Sequence, residues 1–407
     1  MVAVTRACAS AGLCGSLVSC AGASVVPEAP HPKKEVDSEA ERGTNHEFAL
    51  ATESPQPTNQ RSEDEDEHAL SSVCGEADAA LTKVATRLAE QQTDASAGLD
   101  VDAIGYALRA AGAPYVWPRA WLFNGAEGEV EAAKARMQHW LASFSDGGAR
   151  RCGIFVRHER GLRMSVTVVA VDVLADLEPL PTRARVGQWL DVRATLRVPA
   201  SEAKLVVLGP RGAPRPVPTS FDGGHVRARF NADAPGAWLV QLLGSVDGGP
   251  RPLLEAWVFA GIEPPYTSAI GKAPGEDASH AAGDPRAALY AMVNAARESE
   301  RIAPLERDER LESVAREHAE AMRRTHKTAH DVGDGDLNQR LELAGLELSA
   351  GENVAHAGSA VLAQRALWAS PSHRENLLFP GFDALGIGVA PDGDGTLWVC
   401  QVFASSH

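Results

Sequence analysis

The sequence predicts a multidomain chain: an N-terminal α+β segment, a central antiparallel β-sandwich, and a helix-rich C-terminal domain that closes on two strands. Three observations carry this. Apolar residues recur at helical spacing before residue 175 and after residue 284. From about Arg183 to Ala260 the spacing changes to two. Two stretches, 21–74 and 263–284, are polar or rich in Pro, Gly, Ala and Ser and lack an apolar period. The 407 residues suffice for roughly two to four domains. With 44% hydrophobic residues, most of the chain can bury a core. The net charge of −15 argues against nucleic acid as a partner, which requires clustered Lys and Arg.

Residues 1–20 carry one basic residue, Arg6, and a weakly apolar run to Val18 that is too short to span a bilayer. That order is the order of a secretory signal. Leu17-Val18-Ser19-Cys20 is similar to a bacterial lipobox, in which small residues precede a Cys that is cleaved at and lipidated. The resemblance implies a lipoprotein held to a membrane by acyl chains on Cys20. An ordinary signal peptide, or an accidental Cys, is the alternative. Stable anchoring takes more than one chain, because each buried CH₂ contributes only about 0.8 kcal/mol.

Residues 21–74 include Arg61-Ser62-Glu63-Asp64-Glu65-Asp66-Glu67 and read as a disordered, self-repelling linker. Of six Cys, Cys8 and Cys14 would leave with the signal. If Cys20 is lipidated, Cys74, Cys152 and Cys400 remain. No CxxC pair supports a Cys-based zinc site. An oxidising compartment permits one disulfide, and Cys74–Cys152 is the expected pair, since both flank the same segment. Cys400 lies in an apolar run and reads as a buried thiol.

Residues 75–175 open with Leu81, Val84, Ala85, Leu88 and Ala89 at helical spacing. Further helices are expected over about 102–111, closing at Gly112, and over 130–141, with a strand over 161–173. Residues 176–262 alternate, as in Leu190, Val192, Ala194, Leu196 and Val198, with turns such as Pro235-Gly236 and Gly248-Gly249-Pro250. This is the β-sandwich, and its expected role is a spacer or scaffold. Residues 285–405 form the C-terminal domain. Leu311, Val314, Ala315, His318 and Met322 share one face of its second helix. Ser370 is a good N-cap residue and Pro371 a good first helical residue.

The C-terminal motifs resemble the bacterial branch of the CAP superfamily (cysteine-rich secretory, antigen 5, pathogenesis-related; also called SCP). They are Asn294 and Arg297, Gly351-Glu352-Asn353, Trp368-x-Ser370-Pro371-Ser372-His373-Arg374-x-Asn376, Gly386-Ile387-Gly388-Val389 and Gln401-Val402-Phe403. The resemblance implies an α-β-α sandwich with a cleft lined by two His and two acids. By position His330 takes the place of the first His and Glu352 that of the first acid. Pro371 stands where the second acid would be, and Trp398 where the second His would be; the resemblance to other bacterial members implies His373, from another element, in its stead.

The expected site is therefore His330, Glu352 and His373, with Arg374 and Asn376 either reading a ligand at its rim or bonding loop carbonyls. Two imidazoles and a carboxylate suit zinc, which could activate water. Without metal, Glu352 and a His form an acid/base pair. The third reading is a hydrogen-bonded polar cluster that holds loops onto the sandwich. No activated nucleophile is evident. His318 reads as a packing residue bordering the cleft, and His326 as exposed.

Residues 75–175 also echo the C-terminal domain. Asp78-x-x-Leu81-x-x-Val84-Ala85 parallels Asp308-x-x-Leu311-x-x-Val314-Ala315, Leu108-x-x-Ala111-Gly112 parallels Leu341-x-x-Ala344-Gly345, and Gly153-Ile154 parallels Gly386-Ile387. Two readings stand: a degenerate CAP-like copy without the site, or an unrelated α+β segment.

The functional expectation is an extracytoplasmic CAP-domain lipoprotein of the cell envelope, periplasmic or at the surface, or else secreted. Its partner would be a lipid, a peptidoglycan fragment or an envelope protein, bound without turnover. The alternative is a metal-dependent hydrolase or protease centred on His330, Glu352 and His373.

Overall fold

A computed structural model describes residues 51–55, 64–91, 101–144, 147–159, 163–264, 272–279 and 283–405. All belong to one compact unit, Glu47–His407. The signal and the Cys20 lipidation site lie outside the described residues, as does most of the expected 21–74 linker.

From Asp284 onward the chain builds three layers. Asp284 accepts a hydrogen bond from the Ala287 N–H, and Pro285 begins the first helix, Pro285–Ser299. The middle layer is a four-stranded sheet in the order Glu306–Arg307, Ala384–Pro391, Leu397–Ser405, Ser349–Ala357. The first pair is parallel and the others antiparallel. Strand residues alternate between faces. Cys400 and Val402 meet Leu311, Ala315 and Met322 of helix Glu309–Thr325. Val399 and Phe403 meet Leu289, Met292, Leu367 and Leu377 from the helices on the other side.

Two glycines set how deep the 309–325 helix lies. A Cβ at Gly386 would sit 2.2 Å from the Leu311 carbonyl carbon, and one at Gly388 equally close to that of Ala315. The backbones touch where any side chain would force them apart.

Residues 64–173 repeat this pattern. Their four-stranded sheet runs Glu76–Ala77, Ala149–Glu159, Arg163–Val173, Arg119–Ala126, again with the first pair parallel. Asp78 caps helix Ala79–Gln91 through the Ala80 and Leu81 N–H groups, as Asp308 caps through those of Arg310 and Leu311. The Asp78 N–H donates to Cys152 O as the Asp308 N–H donates to Leu385 O. A Cβ at Gly153 would lie 1.9 Å from the Leu81 carbonyl carbon. Gly112 and Gly345 follow their helices with φ of 80° and 70°. Cys74 and Cys152 are joined as a disulfide, their Cα atoms 6.0 Å apart.

Between these parts, two sheets face each other. One is five-stranded and carries the hairpin Gly236–Val246/Gly249–Ala260; the other is four-stranded, built on Gln188–Leu196 and His225–Ala232. Leu190, Val192, Val226 and Phe230 meet Leu205, Trp238, Val240 and Val258 in one core.

Two expectations need correction. The acidic run is not all linker: Asp64 caps helix Glu65–Ser71, and Leu70 is fully buried. Carboxylates in a first helical turn are stabilised by the helix dipole. The Gly/Ala-rich stretch 263–284 is likewise not all linker. Ala273 and Glu276 are buried, and both Glu276 carboxylate oxygens accept from Arg365. Arg119–Ala126 is a strand without an alternating apolar signature, since most of its residues are only half-buried.

The glycine contacts yield a prediction. Gly153→Ala and Gly386→Ala should each destabilise by about 1–3 kcal/mol through overpacking. Gly358→Ala, whose Cβ would meet only Leu362 Cδ1 at 3.7 Å, should be near neutral. Urea midpoints of the three variants check this.

Candidate functional site

Glu352 is placed by the Ser349–Ala357 strand, paired opposite Val402, with its carboxylate on the face covered by helix Glu309–Thr325. It is 6% exposed. A buried carboxylate requires partners, and Glu352 has three. Its Oε1 lies 2.8 Å from His330 Nδ1. Its Oε2 lies 2.8 Å from an Arg340 guanidinium nitrogen and accepts from the Cys400 thiol at 3.3 Å. Burial alone would raise the Glu352 carboxyl, but the His330 hydrogen bond and the Arg340, His330 and His318 charges outweigh it and hold it at about 2. Cys400 goes the other way, pushed up by burial and by the neighbouring Glu352 charge.

Arg340 organises the surrounding loop. It rises from helix Leu337–Leu343, which begins with a full capping box between Asp336 and Gln339. Its guanidinium also donates to Gly335 O and His330 O, both at 3.0 Å. Its Nη1 is buried without a hydrogen-bond partner among the described residues. His318 is fully buried, with Nδ1 2.7 Å from Asp334 Oδ2 and Nε2 3.0 Å from Ala329 O. Its Nε2 also stands 4.0 Å from Glu352 Oε2.

Two of the expected trio meet directly, with more company than the sequence indicated. His330 bonds Glu352 directly. His373 lies within electrostatic reach of His330, and burial, then that neighbour, pushes its pKa down to about 3. Its own carbonyl accepts from Asn353. Arg374 and Asn376 turn to bracing. The Arg374 guanidinium lies 3.8 Å from the Trp368 ring centroid and donates to Trp368 O. Asn376 donates to Glu352 O and Asn353 Oδ1. Both side chains hold backbone or neighbouring side chains, as the reading in which they bond loop carbonyls expects.

Ser370 begins helix Pro371–Leu378 as expected, yet its hydroxyl makes no capping bond. It faces Gln241 Nε2 at 3.4 Å instead. His326 is exposed, as the loop composition suggested. Trp398 donates its indole N–H to Asp392 and stacks with His356. Arg340, Asp334 and Cys400 were missed as site members. The available signal was an Arg beside Leu341 on the inward side of a short helix.

Zinc fits this arrangement poorly. The one buried carboxylate already carries a guanidinium and is not free to serve as a ligand. Among the described residues no group of three or more His, Cys, Asp or Glu is arranged to hold a metal.

A three-layer α-β-α domain with a buried His/Glu/Arg cluster on the inner face of its sheet is the class defined here. Residues 290–402 match the cysteine-rich secretory protein family, CAP, and this part of the chain is a CAP domain. Among solved structures, an outer surface protein from Borrelia burgdorferi matches at 24% identity over 29% of this chain and 89% of its own, with a TM-score of 0.28. An extracellular protein containing a SCP domain from Bacillus anthracis matches at 16% identity over 57% of this chain and 86% of its own, TM-score 0.28. A cysteine-rich secretory protein from Staphylococcus aureus matches at 14% over 65% and 82%, TM-score 0.27. No curated protein matches. No helix among the described residues is long and apolar enough to cross a membrane.

Acid should unfold the domain in two stages. A His held neutral in the fold, from 6.5 down to about 3, loses stability as pH falls through that window. Glu352, lowered from 4.5 to about 2, contributes stability that is present above 4.5 and is lost as pH falls toward 2. Urea midpoints measured across this range should fall from pH 6.5 downward. His373→Gln should remove the upper stage and leave the lower one.

Proposed function

We propose that this chain is an extracytoplasmic protein whose CAP domain binds a ligand without turning it over. The ligand presents oxygen acceptors, as a lipid head group, a peptidoglycan fragment or an envelope protein does. We further propose that residues 75–175 are a degenerate CAP-like copy, that residues 176–262 are a β-sandwich, and that Cys20 carries the lipid anchor. The Cys74–Cys152 pair supports an oxidising compartment.

One observation carries the ligand reading. The N-terminal sheet pairs Gly153 and Ala120 with Val169, as the C-terminal sheet pairs Gly386 and Glu352 with Val402. Ala120 therefore stands in register with Glu352. Counting from Asp78 and Asp308 sets Leu88 against His318, and counting from Gly112 and Gly345 sets Ala107 against Arg340. Leu88, Ala107 and Ala120 pack in one apolar cluster with Leu81 and Val169. The same layering thus closes without any charge. Replacing a buried ion pair by apolar residues is often neutral or stabilising, so stability alone is a weak reason to keep Glu352 and Arg340.

The titration of two of the groups supports binding without turnover. A proton-transfer catalyst works best with a pKa near ambient pH. Glu352 at about 2 and His373 at about 3 are both too weak as bases. The Arg340 charge on Glu352 also disfavours the metal-dependent hydrolase or protease.

The test is a triple substitution, His318→Leu, Arg340→Ala and Glu352→Ala, which copies the N-terminal residues into the CAP domain. It should unfold cooperatively within about 1–2 kcal/mol of the parent, while Arg340→Ala alone should cost about 3–5 kcal/mol by leaving Glu352 buried and unpaired. Lipid extract or soluble peptidoglycan fragments retained by the parent should be lost from the triple variant. If the triple variant fails to fold, the cluster is structural and the ligand reading fails. Chelator-sensitive hydrolysis by the parent would install the metal-dependent enzyme instead.

A further inference from the structure

The hairpin Gly236–Val246/Gly249–Ala260 does more than separate two domains. Its turn rests on the CAP site. Gly248 O accepts from the Asp331 N–H at 3.3 Å. A Cβ at Gly249 would stand 2.9 Å from His330 Cβ. Both glycines have positive φ, 86° and 106°, so the turn takes a shape that brings bare backbone against the His330 loop.

Further along the hairpin, Gln241 is fully buried. Its Oε1 accepts from the Ser372 N–H at 3.0 Å, and its Nε2 reaches Ser370 Oγ at 3.4 Å. The same Nε2 donates to Glu255 at 2.7 Å, and Glu255 accepts from Arg109 of the N-terminal unit at 2.6 Å. On the neighbouring strand, Lys204 pairs with Glu375 at 2.9 Å. The His330 loop and the start of the Pro371–Leu378 helix, which carries His373, are therefore held by one element.

We propose that this hairpin is a cover latched in cis over the His330 and His373 side of the CAP site, and that the site opens when the latch at Gln241 and Lys204 releases. The occupant of this CAP face is the chain's own hairpin, matched to it by Gln241 against a helix N-terminus and by a Lys against Glu375. The cover rests on geometry alone; its role in admitting a ligand rests on the ligand reading above.

Carbethoxylation of His330 by diethyl pyrocarbonate in the full-length protein, located by mass spectrometry, reads the cover without any ligand. His326 is 71% exposed and serves as the internal standard. In the parent, His330 should react far more slowly than His326. Gln241→Ala should speed the His330 reaction roughly tenfold, the effect of losing one or two hydrogen bonds. Lys204→Glu should speed it less, and Lys204→Glu with Glu375→Lys should restore the parent rate. Equal reactivity of His330 and His326 in the parent would overturn the proposal. So would an unchanged His330 rate in Lys204→Glu, which decides the matter even if Gln241→Ala does not fold. Failure of the ligand reading leaves these rates untouched, so the two outcomes remain separable.

Discussion

A carboxylate buried under a helix must be neutralised, and the shape of the CAP site follows from how Glu352 is neutralised. Leaving a charge in such a place costs several kcal/mol. Arg340 offsets that cost, and in doing so it fixes more than one neighbour. The guanidinium that meets Glu352 also takes Gly335 O and His330 O. The loop between the 309–325 and 337–343 helices contains two positive-φ glycines, Gly333 and Gly335, and has little stiffness of its own. Its course past His330 is held by that buried cation together with His318, which bonds Asp334 and Ala329 O. His330 in turn closes the circle by bonding Glu352, so that loop, helix and strand share one electrostatic knot.

The N-terminal unit shows that the knot is not what the layering requires. Its capped helix meets its sheet at Gly153 as the CAP helix meets its sheet at Gly386. At the depth of Glu352 it has Ala120, and the gap is filled by Leu88 and Ala107. Apolar filling needs no partners and tolerates no water. Charged filling leaves one Arg340 nitrogen without a bond among the described residues. That orphaned donor is a cost of roughly 1–3 kcal/mol unless something supplies an acceptor.

What could be read from the sequence was what is local. Asp78, Asp308 and Asp284 announce helix starts, Gly112 and Gly345 announce ends, and Gly386 in the Gly-Ile-Gly run marks the helix-sheet contact. His330 and Glu352 were legible through motif position. Arg340 and Asp334 were not, because their meaning depends on a loop that folds back onto a distant strand, and no periodicity records that. The Ser370 cap failed for a similar reason: Gln241, 129 residues earlier, competes for the hydroxyl. Asp64 to Ser71 was misread because charge density hid the single apolar anchor, Leu70.

The Gln241 contact changes how the central two-sheet unit should be regarded. A spacer needs only to keep its neighbours apart, and an exposed polar surface serves that purpose. Here Arg109, Glu255, Gln241 and Ser372 form a continuous polar chain from the N-terminal helix to the CAP helix. Buried polar chains are stable only when every member is satisfied, so a shift at one end is felt at the next bond. Arg109 Nε is buried and unbonded among the described residues, which leaves the first link under-determined. Arg109 of the N-terminal unit is thereby joined, through Glu255 and Gln241, to the helix that carries His373. The N-terminal unit stands at one end of a hydrogen-bonded line whose other end is the first turn of that helix.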